Sequence, residues 1–99
     1  MEEENKSPFD LVAELGIAFG RYRRALKISQ QRLQEKTGIS VFTISQFENG
    51  RGQGLSLSYF FSLMEAVGLS LSTQQIIPEA DFINPEKLWR IQNKKGGRQ

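Results

Sequence analysis

Apolar residues recur at helical spacing over most of the chain. From Phe9 onward, Leu11, Leu15, Ala18, Phe19, Tyr22 and Leu26 fall at steps of three and four with arginines between them, which predicts a first helix from about 9 to 27. Ser7-Pro8 fits its start, and Ile28-Ser29 ends the segment. Gly16 and Gly20 weaken it by about 1 kcal/mol each relative to alanine, a cost that close helix contacts would explain. Ser29 is an N-cap for a second helix, Gln30 to Lys36, whose core residue is Leu33. Gly38 can take a positive φ and turn the chain, and Ile39 points back into the core. Ser40 then caps a third helix, Val41 to about Glu48, with Ile44 and Phe47 facing inward and Asn49-Gly50 at its end.

The second half is less uniform. Ser56 or Ser58 starts a fourth helix that runs to about Val67 and stops at Gly68, with Leu57, Phe60, Phe61, Met64 and Val67 as its apolar core stripe. Over Leu69 to Ile77 the period changes: LSLSTQQII begins by alternating apolar and polar residues, which predicts a strand. One strand is not stable alone, so it would pair with the same strand of a second copy; the alternative is an extended tail packed on the domain. Pro78 breaks the strand, and Asn84-Pro85-Glu86 starts a short helix, 85–92, that carries Leu88, Trp89 and Ile91. Trp89 has two readings: it closes the core or a dimer interface, or it is an exposed anchor for another protein. The resulting division is a charged, disordered N-terminus at 1–8, a helical domain at 9–70, and a strand, short helix and basic tail at 71–99.

Composition narrows the function. A chain of 99 residues fits one small domain. Thirteen Lys and Arg stand against eleven Asp and Glu, and the excess is not evenly spread. Residues 14–52 hold Arg21, Arg23, Arg24, Lys27, Arg32, Lys36 and Arg51 against Glu14, Glu35 and Glu48, so the basic block runs from the first helix to just past the third and takes in the segment from Ser29 to Gly50. Phosphate neutralisation needs such a block, although a solvated helix face would look the same. Cysteine and histidine are both absent, which excludes disulfide scaffolds, Cys/His zinc sites and Cys or His catalysis. The carboxylates are scattered without nucleophile–base spacing, so neither an enzyme nor a cofactor is expected. GRGQG at 50–54 lacks the Lys-Ser/Thr and the preceding strand of a phosphate loop and reads as a flexible basic connector. The N-terminus does not resemble a signal peptide and no apolar run approaches about 18 residues, so the expectation is a soluble, cytoplasmic, nucleoid-associated protein without membrane contact.

Two short helices joined by a tight turn, Ser29 to Gly50, have the geometry of a helix-turn-helix, whose second helix enters the DNA major groove. Ser29-Gln30, Leu33, Gly38-Ile39-Ser40, Ile44-Ser45, Phe47-Glu48 and Asn49-Gly50 resemble the phage-repressor/Cro-like (XRE) family over roughly residues 11–70. Within it, FTISQFENG, LSYFFSLMEAVG and LSLS are similar to HipB-like antitoxins. The resemblance implies an all-α, lambda-repressor-like bundle of five helices, here with a short C-terminal β-strand for dimer pairing. It implies a homodimeric repressor of a palindromic double-stranded DNA operator and, in the narrower match, an autoregulating antitoxin with a HipA-type kinase toxin as partner. Phage-type or stand-alone regulation, and a protein-interaction module without DNA specificity, are the alternatives.

The resemblance also implies roles by position. Gln30 would contact phosphate and brace the reading helix, while Ser40, Asn49 and Arg51 would contact phosphate near the helix ends. Val41, Phe42, Thr43 and Gln46 would face the bases. Arg23 and Glu48 match an ion pair that ties the first helix to the third. Many relatives place polar residues where Val41 and Phe42 stand. Gln46 could pair with adenine N6/N7, and Val41 and Phe42 could pack on thymine methyls; alternatively Phe42 folds down between helices and meets no base.

Overall fold

The computed structural model describes residues 6–78. The short helix expected at 85–92, Trp89, the basic tail and residues 1–5 lie outside the described residues. Within them the chain forms five helices: α1 (Pro8–Ala25), α2 (Gln30–Thr37), α3 (Val41–Glu48), α4 (Leu57–Ala66) and α5 (Thr73–Ile76). The first four begin in the same way. The hydroxyls of Ser7, Ser29, Ser40 and Ser56 accept from the backbone N–H of Asp10, Arg32, Thr43 and Tyr59 at 3.0–3.1 Å. Each such cap contributes about 1 kcal/mol by satisfying a helix-end donor that would otherwise be unpaired. Gly38, at φ 80°, closes α2 in the left-handed conformation and sends the chain into α3.

Leu33, Ile39, Ile44 and Phe47 are buried as expected, joined by Phe19, Leu63 and Val67. The rings of Phe19 and Phe60 flank Phe47, with centroids 5.6 and 6.0 Å away. α3 lies at the centre of this core, against α1 on one side and α2 on the other, and α2 also packs on α4.

Two apolar stripes differ from the sequence pattern. On α1 only Phe19 of the expected face is buried; Leu11, Leu15, Tyr22 and Leu26 are 41–52% exposed. The buried face is instead Gly16, Phe19, Gly20 and Arg23. A Cβ on Gly16 would stand 1.8 Å from the Phe47 carbonyl oxygen, and one on Gly20 would stand 3.1 Å from the Glu48 side chain. The glycines therefore let α1 lie with its backbone against the end of α3, and that contact decides which face turns inward. On α4, Leu57 and Phe61 are exposed, while Leu63, outside the expected stripe, is fully buried. Phe60, Leu63, Met64 and Val67 make the inward face, at steps of three, four and seven.

The helix ends also differ. α1 stops at Ala25, because Lys27 takes φ 63° and lets the Ile28 N–H reach back to the Arg23 carbonyl. The strand expected at 69–77 is not formed, and there is no strand among the described residues. A lone strand would leave its ladder groups unpaired within the chain. Residues Thr73–Ile76 instead make one helical turn, with the Gln75 side chain accepting from the Ser72 N–H at 2.7 Å. The S-x-x-Q spacing at Ser72–Gln75 is a capping signal that the alternation masked. The 50–54 connector is held rather than loose. Gly52 is buried against Phe47, where a Cβ would come within 2.7 Å of the ring, and the Gln53 amide donates to the carbonyls of Gly50 and Phe9 at 3.1 and 3.4 Å.

Candidate nucleic-acid interface

Side chains from other elements hold both ends of α3. At its start, the Val41 N–H donates to Gln34 Oε1 at 2.7 Å, and Ser40 Oγ accepts from the Thr43 N–H and donates to Thr43 Oγ1 at 3.1 Å. At its end, Glu48 is buried and accepts from Arg23 Nε at 2.7 Å, Arg23 Nη2 at 2.8 Å and Gln30 Nε2 at 2.9 Å. The remaining Arg23 donor reaches the Ile28 carbonyl at 2.6 Å. The hydrogen bond to Glu48 raises the Arg23 pKa above its ordinary value; burial opposes this and attraction to the carboxylate adds to it. The guanidinium therefore stays charged at every physiological pH, and the pair is a fixed brace rather than a switch.

With its ends fixed and Ile44 and Phe47 in the core, α3 presents its other face outward. Phe42 is 72% exposed, so it does not fold down between the helices. Thr43 and Gln46 are half-buried beside it. These three side chains form one wall of an open cavity of about 520 Å³. Arg51, Gly52 and Gly54 of the connector, Leu55, the cap residue Ser56 and Tyr59 of α4 complete the lining. The Arg51 N–H donates to the Gln46 carbonyl at 2.8 Å, which fixes the connector to the end of α3. The Arg51 side chain is exposed, and among the described residues it forms no ion pair with a carboxylate.

The expected site residues therefore separate. Phe42, Thr43, Gln46 and Arg51 share one concave surface. Val41 is half-buried next to Phe42, with its backbone engaged by Gln34. Ser40 is exposed but its hydroxyl is used in capping. Asn49 is exposed, and its amide donates to Ser45 Oγ at 3.4 Å. Gln30 is half-buried, and its amide N–H is directed at Glu48, so bracing is the role its geometry displays. Gln34 and Tyr59 carry no signal in the sequence for the positions they take here. Gln34 acts seven residues ahead, across the turn, where no local signal exists. Tyr59 sits three residues after the Ser56 cap, in the first turn of α4, and reaches the cavity because the connector brings that turn beside α3.

Comparison with known proteins gives one match: a family model described as helix-turn-helix covers residues 20–74. No curated protein and no solved structure matches the chain.

Proposed function

The chain belongs to the phage-repressor/Cro-like helix-turn-helix family of DNA-binding regulators, and we propose that it acts as a homodimeric, sequence-specific repressor of a palindromic operator. The observation that carries this reading is the outward face of α3. Its two ends are fixed by Gln34, Arg23 and Gln30, and it presents Phe42, Thr43 and Gln46 beside the exposed charge of Arg51, which pairs with no carboxylate among the described residues. A rigid helix with base-sized side chains at its front and a cation at its border suits major-groove entry with phosphate anchoring.

In this reading residues 9–70 are the DNA-binding unit. Gln46 pairs with an adenine, Val41 and Phe42 pack on thymine methyls, and Thr43 contributes to the same base-facing surface. Arg51, Asn49, Ser40 and Gln30 lie near the backbone phosphates. The wording FTISQFENG supports a narrower role as an autoregulating antitoxin in the cytoplasm, with a HipA-type kinase toxin as partner. A toxin gene adjacent to this one, and co-purification of its product, are the expected outcomes; an isolated gene favours a stand-alone regulator.

Selection from a randomised duplex library tests the main reading. The expected product is an inverted repeat whose half-sites are about 10–10.5 bp apart, or a multiple of that. Uniform, salt-sensitive recovery of all sequences would overturn specific repression and favour a module that keeps the fold for other contacts. Replacing a contacted thymine by deoxyuridine in the selected site should weaken binding about fourfold, from the ~0.8 kcal/mol of one buried methylene-sized group.

A further inference from the structure

The exposed apolar face of α1 is part of a second concave surface. Leu15, Ala18 and Tyr22 of α1 oppose Phe60 and Met64 of α4, and Leu69 closes one end. The groove is almost wholly apolar, with a volume of about 250 Å³, and Leu15 and Tyr22 are 45% and 41% exposed. It shares no residue with the cavity beside α3. Apolar walls from two helices that no described residue covers are a surface that another segment would gain by covering.

We propose that this groove is the docking site for the chain's own C-terminal segment, residues 85–92, through Leu88, Trp89 and Ile91. Three observations single out that occupant. The segment pairs a helix start, Asn84-Pro85-Glu86, with an apolar trio at helical spacing that would otherwise be left facing water. Its tether is suited to the task. The described fold ends at Pro78, nine residues beyond Leu69 on the groove wall; the six residues from Pro78 to Asn84 can span about 20 Å, and four helical residues on to Leu88 add about 6 Å, enough to reach back across one face of a small domain. Charges also complement. Of the three exposed charges next in sequence to the groove wall, Glu14 beside Leu15 and Glu65 beside Met64 carry the sign opposite to Lys87 and Arg90, which flank Leu88, Trp89 and Ile91, and Arg21 beside Tyr22 carries the same sign. Glu14 pairs with Lys6 at 3.1 Å on the surface, an exchange that costs little. A tethered segment acts at a high effective concentration and avoids most of the entropy lost when a second molecule associates. The proposal does not depend on what the α3 face binds.

The absence of native cysteine makes a direct test possible in the full chain. Ala18→Cys with Leu88→Cys should close under mild oxidation to a cross-linked species of monomer mass. Its yield should be several-fold above that of a control pair, Arg32→Cys with Leu88→Cys, in which position 32 is exposed on α2 away from the groove. A product mainly of dimer mass would assign the groove to a second copy; that outcome, equal yields from the two pairs, or no cross-link would each overturn the proposal. Trp89 is the single tryptophan, so its quenching by acrylamide is an independent readout. Leu15→Glu, at a position 45% exposed and outside the buried core, should at least double that quenching with helical content unchanged. Equal quenching in both proteins would also overturn the proposal.

Discussion

Arg23 and Glu48 are the only charged side chains buried among the described residues, and each depends on the other. The two parallel hydrogen bonds at 2.7 and 2.8 Å satisfy the carboxylate, and Gln30 adds a third contact. Removing one partner leaves an uncompensated charge in the core. Arg23→Ala or Glu48→Ala should therefore lose about 3–5 kcal/mol of stability, while the double change Arg23→Met with Glu48→Leu should lose far less, as read from denaturant midpoints. A different division applies to the outward residues. In the proposed interface, Gln46→Ala should relax specificity at one base position at a cost of about 1–3 kcal/mol. Arg51→Ala should weaken all sequences alike and reduce the salt slope by about 1. Binding of both variants to a randomised site library, at two salt concentrations, separates these outcomes. Identical profiles would show that the two side chains do not have separate roles.

The elements show why an apolar pattern can be present and yet point the wrong way. α1 carries a regular stripe of large side chains, and a surface helix with such a stripe ordinarily turns it inward. Here Gly16 and Gly20 bring the α1 backbone against α3 more closely than any larger residue allows, and the stripe is displaced to the side. Gly16→Ala should consequently destabilise the fold by about 1–3 kcal/mol or more, although alanine favours an isolated helix by about 1 kcal/mol. A melting temperature at or above that of the parent chain would remove the argument. α5 shows the opposite case. Its residues alternate like a strand, but a single turn of helix satisfies Ser72 through Gln75 and Ile77 through Thr73, without a second molecule.

At the scale of the whole molecule, the apolar surface that the helices leave outside falls in separate places. The α1–α4 groove has an in-chain occupant under the proposal above. Ile76 and Ile77, at the end of the described fold, are 60% and 68% exposed and would meet the second copy in the homodimer reading. Ile76→Asp with Ile77→Asp should convert dimers to monomers in sedimentation and weaken operator binding, with the helical spectrum preserved because neither side chain contributes to the core. Persistent dimers would place the interface elsewhere. Point changes are the cleaner test than deletion of 69–77, since Leu69 packs on the core.

Local chemistry determined much of this protein. Serine caps, the left-handed glycine at 38 and the spacing of Leu33, Ile39, Ile44 and Phe47 specify α2, the turn and α3, because each signal acts within one or two helical turns of itself. The helix-turn-helix family and the composition of the α3 face were legible for the same reason. Only the tertiary structure decided which side of α1 is buried, that Leu63 rather than Phe61 fills the core, that Gln34 braces α3 from outside, and that Tyr59 joins Phe42, Gln46 and Arg51 around one cavity. Each of these depends on how closely two helices approach. That distance is set by a contact between residues far apart in sequence, such as Gly16 against Phe47, and no periodicity along a single helix contains it.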